Sequence, residues 1–284
     1  TGTVHDRPGR GAKRKLSAEE TKEVIKKAKR GETAPQISRE CETEVDPRTI
    51  QRTLKREGFA YLNVVEKEHL TQTQIERRLE YAEEMKDYDW KRVLCSDEKS
   101  FWLGSGVQKQ WQKPGKRKSR EVRKHPRKLH VWGAIGYYAK AKLFYFEENL
   151  TKELYQQILT SRLKDNALTF SSDAPKSLTR KWVFLQDNDP KHTAKKSKET
   201  IEKLVGDRFL SHPSNSPDLN PMEDIWSYLD RKVKERNVTT INGLKRILTQ
   251  EWNSMDWAEI RSSVESMPDR INECIELKGK RTHY

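Results

Sequence analysis

The sequence has little of what marks a secreted, membrane-spanning or zinc-binding protein. Its 284 residues include only three cysteines, Cys41, Cys95 and Cys274, which lie far apart and form no CxxC pair. This spacing argues against a zinc site or a disulfide framework and fits a reducing compartment. No segment approaches the roughly 18 apolar residues that a membrane span requires, and no secretory leader opens the sequence. We therefore expect no membrane partner.

Acidic residues are outnumbered by basic ones. The formal net charge is +14 and the isoelectric point is about 9.5. Such an excess indicates a polyanionic partner, most often nucleic acid, although some basic proteins bind membranes or acidic proteins instead. The stretch from Lys109 to Lys128 holds ten basic residues and one acid, interrupted by Trp111 and by Pro114-Gly115. This mixture favours a loop that lies along a phosphate backbone, and the alternative is a solvated loop.

The first fifteen residues, TGTVHDRPGRGAKRK, are rich in glycine and arginine, and we expect them to be extended. Arg7 and Arg10 suit a narrow minor groove, because its negative potential attracts arginine. A flexible basic linker or a nuclear-import signal fits the same composition equally well. Because the sequence begins with Thr1 instead of Met, we expect it to be a fragment of a longer chain.

Three short helices are predicted over residues 16–62. Ser17 and Glu20 form a capping box for the first helix, Thr33 can cap the second, and Asp46 followed by Pro47 begins the third. This order is typical of a helix-turn-helix, whose last helix enters the major groove. The alternative is an ordinary three-helix unit with a solvated polar face. The outward residues of the third helix, which are candidates for DNA contact, are Arg48, Gln51, Arg52 and Lys55.

A charged helix over 72–90 is predicted as part of a connector, and the pattern changes after it. Short runs rich in valine, isoleucine and aromatic residues alternate with amphipathic stretches. Strands are predicted at 92–101, 129–138, 142–146, 182–186 and 208–210, and helices at 151–166, 193–205 and 221–236. This alternation predicts an α/β or α+β fold with a mixed sheet.

Three acidic residues stand where an apolar element ends or a helix begins. Asp97 closes VLCSD, Asp187 closes WVFLQD, and Glu223 lies in the first turn of the helix that Pro221 opens. Carboxylates in one cleft repel each other unless a hard cation lies between them, and Mg²⁺ prefers such all-oxygen sites. Two ions would stabilise the attacking and leaving oxygens of a phosphoryl displacement. For any single one of the 43 acids, a helix cap or a surface charge is the simpler explanation.

Six motifs surround these acids. They are SDEKSFW (96–102), WQKPG (111–115), HVWG (130–133), QDNDPKHTA (186–194), SPDLNPMEDIW (216–226) and ESMPDRI (265–271). In that order they resemble the Tc/mariner superfamily of cut-and-paste DNA transposases, from about Arg7 to Tyr284. The resemblance implies that Asp97, Asp187 and Glu223 are the catalytic residues and the metal ligands, with two Mg²⁺ or Mn²⁺ ions in each active site.

The resemblance also implies a fold and a reaction. We expect an RNase H-like catalytic domain with a mixed five-stranded sheet at 91–284, after a GRPR-like linker at 1–15, an all-α helix-turn-helix domain at 16–62 and a helical connector at 63–90. The family usually has two helix-turn-helix units, of which only the second is recognisable here. The expected enzyme is nuclear and homodimeric. It binds the terminal inverted repeats of double-stranded transposon DNA, cuts phosphodiester bonds and joins the 3′-hydroxyl ends to target DNA at TA.

Further residues are candidates on the same basis. The basic loop at 104–128 resembles the clamp-like loop of the family, which contacts DNA and the partner subunit, and a long exposed hairpin is the alternative. Asp189 is a possible accessory residue or a helix cap, and His192 either orders the site or makes one structural hydrogen bond. We expect Asp224 to face away from Glu223. The remaining candidates for DNA contact are Arg7, Arg10, Lys13, Arg14, Lys113, Lys116, Arg117 and Lys118.

Two other functions fit parts of the sequence. A domesticated, catalytically inactive relative would bind specific DNA sequences without cutting them, but such a protein does not need three clustered carboxylates. A retroviral-type integrase would carry an N-terminal His/Cys zinc pattern, which this sequence lacks. Trp132 and Trp226 are predicted to be core residues and not base-stacking residues.

Overall fold

The computed structural model describes residues 14–62, 69–104, 124, 126–163, 167–177, 181–236 and 238–284. The chain divides into two compact units, Thr1–Lys67 and Glu68–Tyr284. Within the described ranges, no helix is long and apolar enough to cross a membrane. Most of the basic loop at 104–128 lies outside the described residues, as do Arg7, Arg10, Lys13, Lys113, Lys116, Arg117 and Lys118.

The described part of the first unit contains three helices, α1 (Ala18–Lys29), α2 (Ala34–Arg39) and α3 (Pro47–Arg56). Ser17 and Glu20 form the predicted capping box, Thr33 and Gln36 form another, and Asp46 accepts a hydrogen bond from the backbone of Arg48. A small core of Leu16, Val24, Ile37, Val45 and Ile50 holds the helices together. The candidate DNA-contact residues Arg14, Arg48, Gln51, Arg52 and Lys55 are all exposed.

The second unit is built on one mixed sheet. Its strands are β1 (Val93–Trp102), β2 (Lys128–Gly136), β3 (Ala139–Ala141), β4 (Phe144–Phe146), β5 (Leu168–Phe170), β6 (Val183–Gln186) and β7 (Phe209–Ser211). The order is β5-β3-β2-β1-β6-β7, and β4 also pairs with β2. The strand β1 is antiparallel to β2, while β6 is parallel to both β1 and β7. The predicted mixed α/β architecture is therefore confirmed.

The sheet of the described residues has seven strands where the resemblance implies five. The two short strands β3 and β4 share one edge of β2, because Lys140 pairs with Ile135 while Tyr145 pairs with Val131. Among the strands that the structure describes, the third short strand, β5, pairs with β3 alone. Its three residues are too few to show the alternating pattern by which a strand is recognised in sequence.

Helices cover both faces of the sheet. They are α4 (Gln72–Glu84), α5 (Lys152–Arg162), α6 (Pro190–Thr193), α7 (Lys195–Val205), α8 (Met222–Glu235), α9 (Ile241–Ser254), α10 (Trp257–Glu265) and α11 (Met267–Glu276). Val93 and Cys95 of β1 pack into a core with α8, α9 and α11, whereas Leu94 packs into a second core with α5 and α7. This alternation follows from the period of two residues in a strand.

The helix predicted as a connector belongs to the second unit. Tyr81, Ala82 and Met85 of this segment are buried in the core that also contains α8 and α11. The boundary between the two compact units accordingly falls at Lys67 and Glu68 instead of after residue 90. The sequence predicted a charged connector helix here, but one of its charged residues, Arg78, is fully buried and forms an ion pair with Asp218.

Candidate active site

Two parallel strands place the two aspartates side by side. Asp97 lies in β1, and Asp187 directly follows β6. Cys95 pairs with Leu185 in the parallel register. Two residues further along, Asp97 and Asp187 therefore lie beside each other on the same face of the sheet, because neighbouring strands lie about 4.8 Å apart and side chains alternate.

Glu223 of α8 lies close enough to Asp97 for the two charges to interact. One turn after Glu223, Trp226 donates its indole N–H to Oδ2 of Asp97 at 2.9 Å. Trp226 is fully buried, as is Trp132, and both are therefore the predicted core residues. Gly133 pairs with Asp97 across β1 and β2, and a Cβ atom there would lie 3.0 Å from the Trp226 ring. The missing side chain at Gly133 thus lets α8 pack closely enough to reach Asp97.

Negative charge is concentrated around Asp97. Burial raises the pKa of Asp97 well above its usual range, repulsion from Glu98 and Glu223 raises it further, and the hydrogen bond from Trp226 offsets only part of this effect. The Lys99 ammonium lies 3.4 Å from Oε2 of Glu223. The carboxylates of Asp97, Glu98 and Glu223 are therefore crowded, and a nearby positive charge would reduce the repulsion between them.

His192 holds Asp187 from the other side. Its Nδ1 lies 2.5 Å from Oδ1 of Asp187, and its Nε2 lies 3.4 Å from Oε1 of Glu98. The Tyr155 ring stacks on the buried imidazole, with 4.0 Å between the ring centres. Burial disfavours the imidazolium, but the hydrogen bond to Asp187 and the negative charges of Glu98 and Asp187 outweigh that effect and raise the pKa of His192 to about 10. His192 is thus brought into contact with the proposed catalytic group.

Asp189 caps the short helix α6. Its side chain caps α6 by accepting a hydrogen bond from the backbone N–H of Lys191 at 2.8 Å. Its own backbone N–H donates to Oδ1 of Asp187 at 3.1 Å. Of the two predicted roles, the helix cap is confirmed, and through its backbone Asp189 also helps to orient Asp187.

Two residues of this group, Glu98 and Lys99, were missed by sequence reasoning although both lie in SDEKSFW. Alternation along β1 puts Lys99 on the same face as Asp97, and this pattern was available from the sequence. The contact between Glu98 and His192 joins residues 94 positions apart, and no local pattern announces it.

The donor chemistry of the three carboxylates suits a hard divalent cation. In the described part of the chain, no three His, Cys, Asp or Glu side chains are already arranged as metal ligands. Each proposed ligand instead contacts a hydrogen-bond donor or a cation of the protein itself. Burial and the neighbouring carboxylates raise the pKa of Asp97, and a bound cation would reduce the repulsion between these carboxylates. These three protein partners are Trp226 for Asp97, His192 for Asp187 and Lys99 for Glu223.

Asp224, the neighbour of Glu223, makes a separate ion pair. It contacts the buried guanidinium of Arg270 and accepts a hydrogen bond from Ser263 Oγ at 2.7 Å. The predicted direction, away from Glu223, agrees with these contacts. Because Arg270 is 1% exposed, Asp224 supports a buried charge and is unsuitable as a neutral control for Glu223.

We expect Asp224→Ala to destabilise the protein by about 1–3 kcal/mol, because a buried donor loses its partner. Urea unfolding measures this loss, and cleavage assayed below the unfolding range should persist. Asp224→Asn, which keeps an acceptor for Arg270 and Ser263, should lose less stability than Asp224→Ala. Equal stability of wild type and Asp224→Ala would contradict the structural role.

Comparison with known proteins identifies the family of this chain. Residues 92–245, more than half of the chain, match the family described as DDE superfamily endonuclease. The chain therefore belongs to the DDE superfamily of endonucleases, and within it to the Tc/mariner transposases. It is 29% identical to the Tc3 transposase of Caenorhabditis elegans, over 100% of this chain and 85% of the relative. Identity to the Tcb1 transposase of Caenorhabditis briggsae is also 29%, over 84% and 88% of the two chains.

Solved structures show the same fold. The mariner Mos1 paired-end complex with Mg matches with a TM-score of 0.77 and 19% identity, covering 100% of this chain and 85% of the other. The Mos1 strand transfer complex matches with a TM-score of 0.73 and 20% identity, covering 99% and 83%. The predicted RNase H-like fold is confirmed by this likeness.

Proposed function

We propose that this protein is a metal-dependent transposase that binds the terminal inverted repeats of a transposon, cuts the DNA there and joins the freed 3′-hydroxyl ends to target DNA at TA. Membership of the family supports DNA transposition by DDE chemistry. The observation that supports the finer assignment is that the parallel register puts Asp97 beside Asp187, while the charge of Glu223 acts on Asp97.

Asp97, Asp187 and Glu223 would hold two Mg²⁺ or Mn²⁺ ions. Bound ions would activate water and then the 3′-hydroxyl for attack and stabilise the leaving oxygen. The protein's own residues prepare the ligands, since Trp226 orients Asp97 and His192 orients Asp187. Mos1 transposase, which shares the fold, has been solved as paired-end complexes with Mg and with Mn.

The proposed assembly is a nuclear homodimer that holds two double-stranded transposon ends together. The net charge of +14 supports a DNA partner. Mos1 transposase, by its description, forms a paired-end complex with the left transposon end and also a strand transfer complex. The TA target is supported only by the resemblance of the motifs.

The proposed activity is tested on linear DNA that carries the ends of the element, with Mg²⁺ and with EDTA. We expect strand cuts at the ends and joined products with Mg²⁺, and neither with EDTA. Binding to the ends without cleavage under any divalent cation would instead identify a catalytically inactive DNA-binding relative.

The exposed face of α3 is proposed to read the major groove. Gln51→Ala changes no charge, so it tests base reading separately from phosphate attraction. We expect it to weaken binding to end DNA by about 1–3 kcal/mol while leaving binding to random duplex unchanged. Lys55→Gln should weaken binding to both duplexes by a similar factor.

The measurement is the ratio of the two dissociation constants at matched salt. Lys22→Gln, on the exposed side of α1, is the charge-matched control for Lys55→Gln. If Gln51→Ala leaves the ratio as it is in wild type, Gln51 does not read a base.

A further inference from the structure

Three lysines occupy the first turn of α7, a few residues after the proposed metal ligand Asp187. Lys195, Lys196 and Lys198 are all exposed, and we call them the α7 lysine cluster. The helix follows α6 after a single residue, and His192 of α6 contacts Asp187. The cluster therefore begins within a few residues of the proposed metal ligands.

The position of the cluster is unfavourable for the helix itself. The N-terminus of a helix carries partial positive charge, so acids stabilise the first turn and lysines oppose it. The first turn of α7 contains no acid, and its N-cap, Ala194, makes no side-chain hydrogen bond to the helix. Alanine is among the poor residues for capping. Folding stability therefore does not explain why these lysines lie here.

Neighbouring acids do not neutralise the cluster. Among the residues that the structure describes, none forms an ion pair with Lys195, Lys196 or Lys198. Glu153 of α5 is close enough for its charge to interact with that of Lys196. By contrast, the preceding lysine, Lys191, pairs with Asp189 at 3.0 Å. The first turn of α7 thus presents concentrated positive charge to solvent.

We propose that the α7 lysine cluster binds the phosphate backbone of duplex DNA beside the bond to be cut, without regard to sequence. This inference rests on the proposed function, since it takes DNA as the substrate. The lysine ammonium is a compact point charge, so it can bind a phosphate group. It does not recognise the pattern of hydrogen-bond donors and acceptors on the edge of a base. Phosphate contacts fix the position of a duplex and carry no sequence information.

The test compares two variants that each lose three positive charges. The cluster variant combines Lys195→Gln, Lys196→Gln and Lys198→Gln. The control combines Lys203→Gln, Lys232→Gln and Lys234→Gln, all in the last turns of α7 and α8, where lysine is favourable. Glutamine has nearly the helix propensity of lysine, so the comparison isolates charge.

Affinity for a random-sequence duplex is measured over a series of salt concentrations, and thermal unfolding is measured without DNA. We expect the cluster variant to bind more weakly, with a log–log salt slope that falls by about 0.9 for each phosphate that the protein no longer neutralises. Its melting temperature should stay the same or rise. The control variant should keep the wild-type slope and melt slightly earlier.

Two results would overturn the proposal. One is an unchanged salt slope in the cluster variant, and the other is an equal fall in both variants, which would reflect net charge alone. The cleavage assay separates this proposal from the proposed function. A protein that cuts transposon ends but shows no slope change refutes only the cluster, whereas a slope change without any cleavage refutes only the proposed activity.

Discussion

Replacing Asp97 by Asn, Asp187 by Asn or Glu223 by Gln should abolish DNA cleavage while leaving DNA binding in place. Metal-assisted charge stabilisation contributes several kcal/mol to a transition state. At roughly 1.4 kcal/mol for each factor of ten, its loss lowers the rate about a thousand-fold or more. The amides keep the shape of each side chain, so a lower rate reports the missing charge. The measurement is single-turnover cutting of end DNA in Mg²⁺.

The three variants should differ in their melting temperatures. Asp97→Asn removes a charge that Glu98 and Glu223 repel, so the melting temperature should stay or rise. Asp187→Asn removes the charged partner of the buried His192, so the melting temperature should fall.

Asp230→Asn is the matched control on α8, because Asp230 lies two turns beyond Glu223 and pairs with Lys234. It should cut at the wild-type rate. Removal of divalent ions with EDTA should stop cleavage in wild type, and Mg²⁺ or Mn²⁺ should restore it, whereas Ca²⁺ should support binding with little cutting. Near wild-type cutting by Glu223→Gln would show that Glu223 is not the third ligand.

Asp218→Ala should destabilise the second unit by about 3–5 kcal/mol, the usual cost of breaking a buried ion pair. The Asp218 carboxylate accepts two hydrogen bonds from the buried guanidinium of Arg78, at 2.9 and 2.6 Å. It also accepts the backbone N–H of Thr282 at 2.9 Å. The substitution therefore leaves a buried cation without its partner. Thermal unfolding should show a decrease of roughly 6–20 °C for a unit of this size.

Asp173→Ala is the control, because Asp173 pairs with Arg261 at the surface, where an ion pair contributes about 1 kcal/mol or less. Equal losses in the two variants would contradict the buried role of Asp218.

The contribution of Asp218 should also depend on pH. Burial opposes its ionisation, but the hydrogen bonds and charge of Arg78 outweigh that effect and hold the pKa of Asp218 below its usual value. A carboxyl whose pKa is lowered by folding contributes its stability above the unfolded pKa, about 4, and loses it as the pH falls through the folded pKa. The difference between wild type and Asp218→Ala should therefore narrow below about pH 4.

Features that depend on neighbouring residues were predictable from the sequence. The caps at Ser17, Asp46 and Asp189 are such features, because a capping side chain bonds to a backbone N–H two or three residues away. The positions of Asp97 and Asp187 were visible for the same reason, since an apolar run stops at each of them. These signals sufficed for the three helices of the first unit, for the mixed α/β architecture and for the choice of the two aspartates as candidates.

Other features were decided only by the tertiary structure. Arg78 is one charge among many in the helix predicted as a connector, yet it is buried against Asp218, 140 residues away. Glu98 meets His192, and Asp224 meets Arg270, through contacts that no spacing in the sequence announces. A buried charge needs a partner brought from elsewhere in the fold. The sequence by itself therefore determined which acids are candidates for catalysis, whereas the tertiary structure decided their partners, which are Trp226 for Asp97, His192 for Asp187 and Lys99 for Glu223.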